Sequence, residues 1–247
     1  MHLHPFFSYF GSKYRLAKCY PEPQCDEIIE PFAGSAGYAL LYPTKQVSLY
    51  EMYYPIVELW DWLIKVKEEE IMALPIKPRG ALKFNKDHPV EEMVDCAPAR
   101  TLMGFWLTES QTNASRYPLS LSRGGNWTER KRQMIASQLQ YIRHWKVQHM
   151  SFEKIVNVKA TWFIDPPYEE AGSRYRYNSK GIDYSVLAEW CKERSGQVIV
   201  CEQDNATWLP FEHLRFGRNA SNKDYKELVW HRDAEGSHEI LKPEEVF

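Results

Sequence analysis

Apolar and polar positions along the chain follow two different rhythms. Glu27-Ile28-Ile29-Glu30-Pro31-Phe32 is a short apolar run ending at a proline, which predicts a buried strand running into a turn. Ala33-Gly34-Ser35-Ala36-Gly37 supplies that turn, and Tyr38-Ala39-Leu40-Leu41 predicts the opening of a helix. Val47-Ser48-Leu49-Tyr50 predicts a second strand closed by Glu51. From Tyr54 to Lys67 the apolar residues Ile56, Val57, Trp60, Leu63, Ile64 and Val66 fall at helical spacing. Strand, glycine turn, helix, strand, acid and helix in that order predict the first half of an open α/β sheet of the kind that binds nucleotides.

The rhythm breaks between residues 68 and 150. This stretch opens with Glu68-Glu69-Glu70 and is punctuated by Pro75, Pro78, Gly80, Pro89, Pro98 and Gly124-Gly125. It reads as an insert of helix and loop. Within it, Thr128 to Ile142 predicts a helix with Thr128 as N-cap and Met134, Ile135, Leu139 and Ile142 on one face. The α/β rhythm returns at Ala160-Thr161-Trp162-Phe163-Ile164, an apolar strand ending in Asp165. Tyr184 to Glu193 predicts a short amphipathic helix and Gln197–Cys201 a buried strand. His213–Phe216 and Glu227–Trp230 predict the last strands, as an antiparallel pair.

Composition narrows the class. The chain has 247 residues, 44% hydrophobic and 26% charged, which excludes a disordered chain, a collagen-like chain and a coiled coil. No apolar run approaches the roughly 18 residues that span a bilayer. Met1-His2-Leu3-His4-Pro5 lacks the pattern of a signal peptide, so a cytoplasmic protein is expected. The cysteines form no Cys-x-x-Cys pair, so neither a metal site nor a disulfide framework is indicated. Net charge is −2, yet Ala114–His149 holds seven Lys or Arg against the single acid Glu129. That stretch is net +6 and the remainder −8, a polarity suited to meeting a polyanion with one segment.

Three groups of residues carry candidate chemistry. Asp165-Pro166-Pro167-Tyr168 ends a strand, where open α/β sheets hold their ligands. Two prolines stiffen the backbone and remove two N–H donors. A carboxylate, bare carbonyls and an aromatic ring then suit a flat ring with an exocyclic amine. Glu30-Pro31-Phe32-Ala33-Gly34-Ser35-Ala36-Gly37 is a glycine turn that allows close approach to the backbone, but it matches neither the dinucleotide fingerprint nor a Walker loop. Glu51, at the end of the next strand, is placed to accept bonds from a ribose diol. Phe6 to Arg15 is an aromatic run meeting Gly11-Ser12-Lys13 at the start of a predicted helix, where Lys13 and the helix terminus would hold a carboxylate.

Taken together, the order Gly-Ser-Lys, Glu-Pro-Phe-Ala-Gly-Ser, insert and Asp-Pro-Pro-Tyr resembles the Dam-type, alpha-group amino-methyltransferases. The resemblance covers roughly Phe6–Lys67 and Ser151–Trp230. It implies a Rossmann-like class I methyltransferase sheet formed by residues 1–67 and 151–247, with 68–150 as an inserted target-recognition segment. It implies S-adenosyl-L-methionine as cofactor and DNA methylation at adenine N6, as in restriction–modification. By the same resemblance, Tyr9, Gly11 and Lys13 would border the methionine moiety. Glu30, Phe32, Ala33, Gly34 and Ser35 would form the cofactor loop, with Asp165 beside it, and Glu51 would bind the ribose. Asp165, Pro166, Pro167 and Tyr168 would hold a base flipped from the duplex. The family loop reads Phe-x-Gly-x-Gly, whereas here Ala36 stands at the second glycine and Gly37 follows.

For DNA, Arg116, Arg123 and Asn126 are candidates for base edges, and Arg130 and Lys131 for phosphates. The loop Ser173 to Asn178 adds Arg174 and Arg176 between aromatic residues. Alternatives are an N4-cytosine or RNA amino-methyltransferase, which would use the same cup, and an inactive cofactor-binding DNA-binding module. Monomer and dimer are both compatible with the sequence.

Overall fold

The computed structural model describes residues 2–76, 94–107, 111–114, 127–218 and 224–236. Strand β1 spans Glu27–Glu30 and β2 Gln46–Glu51. Helices α1 (Tyr54–Lys65), α2 (Glu68–Ala73), α3 (Ala97–Leu107) and α4 (Glu129–Gln138) follow. After them come β3 (Lys146–His149), β4 (Ala160–Ile164), α5 (Tyr184–Glu193), β5 (Gly196–Gln203), β6 (Glu212–Arg218) and β7 (Asp224–Arg232).

The strands form one seven-stranded sheet in the order β3-β2-β1-β4-β5-β7-β6. β1 pairs in parallel with β2 and β4, and β4 in parallel with β5. β7 runs antiparallel between β5 and β6. The molecule is thus a mixed α/β protein with a mostly parallel sheet. The inner order 3-2-1-4-5 reverses its winding between β1 and β4, and the crevice outside the strand ends at such a reversal is where open sheets bind ligands. Every residue of β4 is buried, as its uninterrupted apolar run requires of a central parallel strand.

The chain divides into two compact units. One comprises Arg15–Ala33, Lys45–Met52 and Gln148–Phe247. Its core is built from Ile29, Trp162, Ile164, Val198 and Val200 on the strands and Leu187, Trp190 and Cys191 on α5. Trp190 meets Trp162 and Phe152 edge-on, at centroid separations of 5.5 and 5.3 Å. Arg194, just past α5, lies 4.2 Å over the Trp190 ring and donates to the Trp190 carbonyl, so its buried charge is held by a ring and a helix end. Burial lowers its pKa.

The other unit comprises Met1–Tyr14, Gly34–Thr44 and Tyr53–Val147. Phe6, Phe7, Trp60, Phe105 and Trp145 form its aromatic core. Basic residues of the +6 stretch are partly consumed here. Arg143 donates to the carbonyls of Leu63, Ile64 and Val66 at the C-terminal end of α1, at 3.4, 2.6 and 2.6 Å. Those carbonyls lack partners within the helix, and a cation there also meets the negative end of the helix dipole. Arg132 reaches the Leu74 carbonyl and Glu129, both at 2.5 Å.

Several elements depart from the sequence expectation. Tyr38–Leu41 opens no α-helix; only a 3-10 turn forms over Ala39–Leu41. The helix expected to Ile142 ends at Gln138 and tightens into a 3-10 turn over Leu139–Ile142, while Thr128 caps it as expected by accepting from the Lys131 N–H. β3 lies inside the segment read as helix and loop. Lys146-Val147-Gln148-His149 has one apolar residue and is mostly exposed, so an edge strand there leaves no hydrophobic signature. All five cysteines are free thiols. Among the described residues no helix is long and apolar enough to cross a membrane.

Candidate active site

In the unit that carries β1, β2, β4 and β5, four carboxyl ends bring chemistry to one rim. β1 ends in Glu30, which is buried at 3% exposure, and runs on through Pro31 to Phe32 and Ala33. Phe32 packs against Phe152, with centroids 5.6 Å apart, and the Ala33 N–H donates to the Tyr50 carbonyl at 3.0 Å. β2 ends in the half-buried Glu51, whose Oε1 accepts the Met52 N–H at 2.8 Å. β4 runs into half-buried Asp165, and β5 carries Glu202 near its end.

The segment Asp165–Glu169 is held from three sides. The Tyr184 hydroxyl, on the first turn of α5, donates to the Pro167 carbonyl. The Tyr168 hydroxyl donates to Glu227 Oε1 of β7 at 2.7 Å. The Glu169 N–H donates to Glu202 Oε1 at 2.8 Å. Tyr20 donates to the same Glu227 Oε1 at 2.6 Å and meets Phe163 edge-on at 5.2 Å. The turn that follows is tight: the Gly172 N–H returns to the Tyr168 carbonyl at 2.7 Å. A Cβ on Gly172 would stand 2.7 Å from the Pro167 carbonyl carbon.

Charge shapes this rim. Burial, with the carboxylates Glu227 and Asp165 nearby, holds the hydroxyls of Tyr20 and Tyr168 well above the usual tyrosine range, so both stay protonated donors. Burial pushes Glu202 up to about 7, against the three N–H groups of Glu169, Gln203 and Trp208 that favour its anion. Asp165 raises it further by like-charge repulsion. The result is an acceptor-rich strand-end rim suited to N–H donors and to positive charge.

The other unit holds a second group of expected residues. Gly34 adopts φ +45° and its carbonyl accepts the Trp60 indole N–H at 2.9 Å. A Cβ on Gly34 would stand 3.1 Å from the Tyr9 ring, which packs edge-on against Phe7 and Phe105. Ser35 donates to Ser12 Oγ at 2.8 Å. Buried Lys13 donates to the Gly11 carbonyl at 3.2 Å. Lys13 was expected to open a helix; it opens a three-residue 3-10 turn, too short to present a helix terminus. Ala36 keeps a left-handed φ of +52° that glycine would adopt freely. Close approach falls instead on Gly37, whose Cβ would stand 2.6 Å from the Tyr14 nitrogen.

The candidate DNA residues separate. Arg116, Arg123 and Asn126 lie outside the described residues. Arg130 is exposed on α4, whereas Lys131 sits 3.9 Å over the Trp106 ring. Arg174 and Arg176 are exposed on the loop after Gly172. The expectation that the carbonyls of this segment have no competing donor fails at Pro167, whose carbonyl accepts from the Tyr184 hydroxyl. Sequence reasoning missed Tyr20, Tyr184, Glu202 and Glu227. Glu202 repeats the signal that exposed Asp165, an acid directly after an apolar strand. Glu227 is a 2%-exposed acid of β7, and the two distant tyrosines whose hydroxyls it accepts are invisible from its neighbours in sequence.

The fold and this rim define a mixed α/β protein with a strand-end site. No family model matches the chain, and no curated protein matches its sequence.

Proposed function

We propose that the chain is an S-adenosyl-L-methionine-dependent DNA methyltransferase acting on the exocyclic N6 amine of a flipped adenine. The observation that carries this reading is Asp165-Pro166-Pro167-Tyr168 at the end of β4, beside the winding reversal, in a sheet ordered 3-2-1-4-5-7-6.

The residues present fit the cofactor by the chemistry of their donors and acceptors. Glu51, with one oxygen fixed by the Met52 N–H, suits a ribose diol, and the acceptor-rich rim suits a sulfonium. Bound there, S-adenosylmethionine would supply an activated methyl group. This chain's own work is on the amine. The amine of adenine is a poor nucleophile because its lone pair is delocalised into the ring. The Asp165 carboxylate and the Pro166 carbonyl accept its two N–H bonds and draw the nitrogen toward tetrahedral geometry. Tyr168 stacks on the base, returning about 1–3 kcal/mol against the few kcal/mol that unstacking costs. Holding both partners in one geometry supplies much of the rate.

The test is methyl transfer to duplex DNA, read as N6-methyladenine after digestion to nucleosides. Wild type is expected to form it, and Asp165→Ala to lose it while retaining the fold, because Asp165 is a half-buried strand-end acid among like charges. Transfer by Asp165→Ala within about tenfold of wild type, roughly 1.4 kcal/mol in barrier, would falsify the assignment. Methylcytosine or methylated RNA as the product would select the corresponding alternative.

A further inference from the structure

We infer that Glu227 is a positioning residue that sets the Tyr168 ring for the substrate base, with Tyr20 as its brace; this rests on the reading just given. The geometry is specific. Two tyrosine hydroxyls, one from residue 20 and one from residue 168, converge on a single oxygen, Glu227 Oε1, at 2.6 and 2.7 Å. Charge-assisted O–H bonds of this length are the strong class. Glu227 is 2% exposed, inside a strand paired on both sides, so its carboxylate has little freedom. Tyr20 is 3% exposed and fixed by Phe163.

Tyr168 itself is half-buried. Its hydroxyl is committed to the buried carboxylate, so the accessible part of the side chain is its ring. A stacking ring needs a fixed tilt more than a fixed hydroxyl partner on the substrate, and anchoring the far end of the side chain provides it. The neighbouring carbonyl and N–H of the same segment are anchored independently by Tyr184 and Glu202. The hydroxyl anchor is the one that acts at the far end of the ring.

The experiment pairs a structural readout with a kinetic one. The protein is labelled with 3-fluorotyrosine, and the Tyr168 fluorine signal is identified by its loss in Tyr168→Phe. In Glu227→Gln that signal is expected to move toward the free amino acid or to broaden. Methyl transfer is then measured for Glu227→Gln, Tyr168→Phe and the double variant. Each single change is expected to raise KM for the duplex about tenfold, equivalent to about 1.4 kcal/mol, with kcat within about threefold. The double variant should be no worse than Tyr168→Phe, because Glu227 acts through that hydroxyl. An unmoved fluorine signal overturns the inference, and so do KM effects that multiply. A signal that moves in Glu227→Gln, together with a wild-type protein that methylates no nucleic acid, sinks the functional reading and leaves the ring anchor standing.

Discussion

Glu202 shows how one buried side chain ties the site to pH. Burial raises its pKa to about 7 from the usual 4.5, so the folded state favours the protonated carboxyl. A group raised in this way contributes stability that is complete below about pH 4.5 and is lost as pH climbs through about 7. The wild type should therefore lose on the order of 3 kcal/mol relative to Glu202→Gln between those limits. Urea denaturation of both proteins at pH 4.5, 6 and 8 checks this, and parallel pH profiles would refute it. At this scale the sequence announced Asp165, Glu30 and Glu51, because an acid closing an apolar strand is legible by position. Glu227 and Tyr20 were not legible, since 207 residues separate the partners and only the sheet's pairing unites them.

Among the elements, the turn after β1 shows where pattern reading succeeds and fails. The glycine turn was legible from Ala33-Gly34-Ser35-Ala36-Gly37, but not which residue bears which constraint. Gly34 and Ala36 carry the left-handed backbone, and Gly37 carries the close approach to residues 13 and 14. A methyl on Gly37 would meet backbone atoms, which cannot swing aside as a side-chain end can. Gly37→Ala should cost about 1–3 kcal/mol of stability, read as a lower denaturant midpoint with an unchanged slope. An unchanged midpoint would show that residues 13–14 yield freely. The longer strands and α1 were legible because their apolar spacing is long and regular. β3 was not, because an exposed edge strand buries too little to leave a pattern.

For the whole molecule, charge distribution makes the testable statement. The sequence divided the +6 stretch into base-edge and phosphate candidates, and among its described residues the structure sorts the charges further. Arg132 and Arg143 hold carbonyls of their own unit, Lys131 lies on an indole, and Arg130 is exposed. In the proposed DNA complex, Arg130→Ala should flatten the log–log salt dependence of binding by nearly one unit, and the Arg174→Ala/Arg176→Ala double variant by up to two. Arg143→Ala should leave that slope alone and instead lower stability by about 2 kcal/mol, since its charged bonds are internal. Binding titrations across a salt series, with melting curves alongside, separate these outcomes. An unchanged slope in both the Arg130 and Arg174/Arg176 variants would place the phosphate contacts elsewhere.

The register of β6 against β7 shifts between His213 and Arg215. β6 is an outer strand of the sheet, and an outer strand offers a row of unclaimed backbone groups to any passing chain. A bulge bends and twists that row, so a second flat strand cannot zip along it. At the opposite side β3 is only four residues long and carries Lys146 and His149. Phe216 is 65% exposed on the bulged strand, the kind of residue that makes a flat edge sticky. The irregularity at residues 213–215 thus makes this outer strand of the described sheet a poor template for flat edge-to-edge pairing.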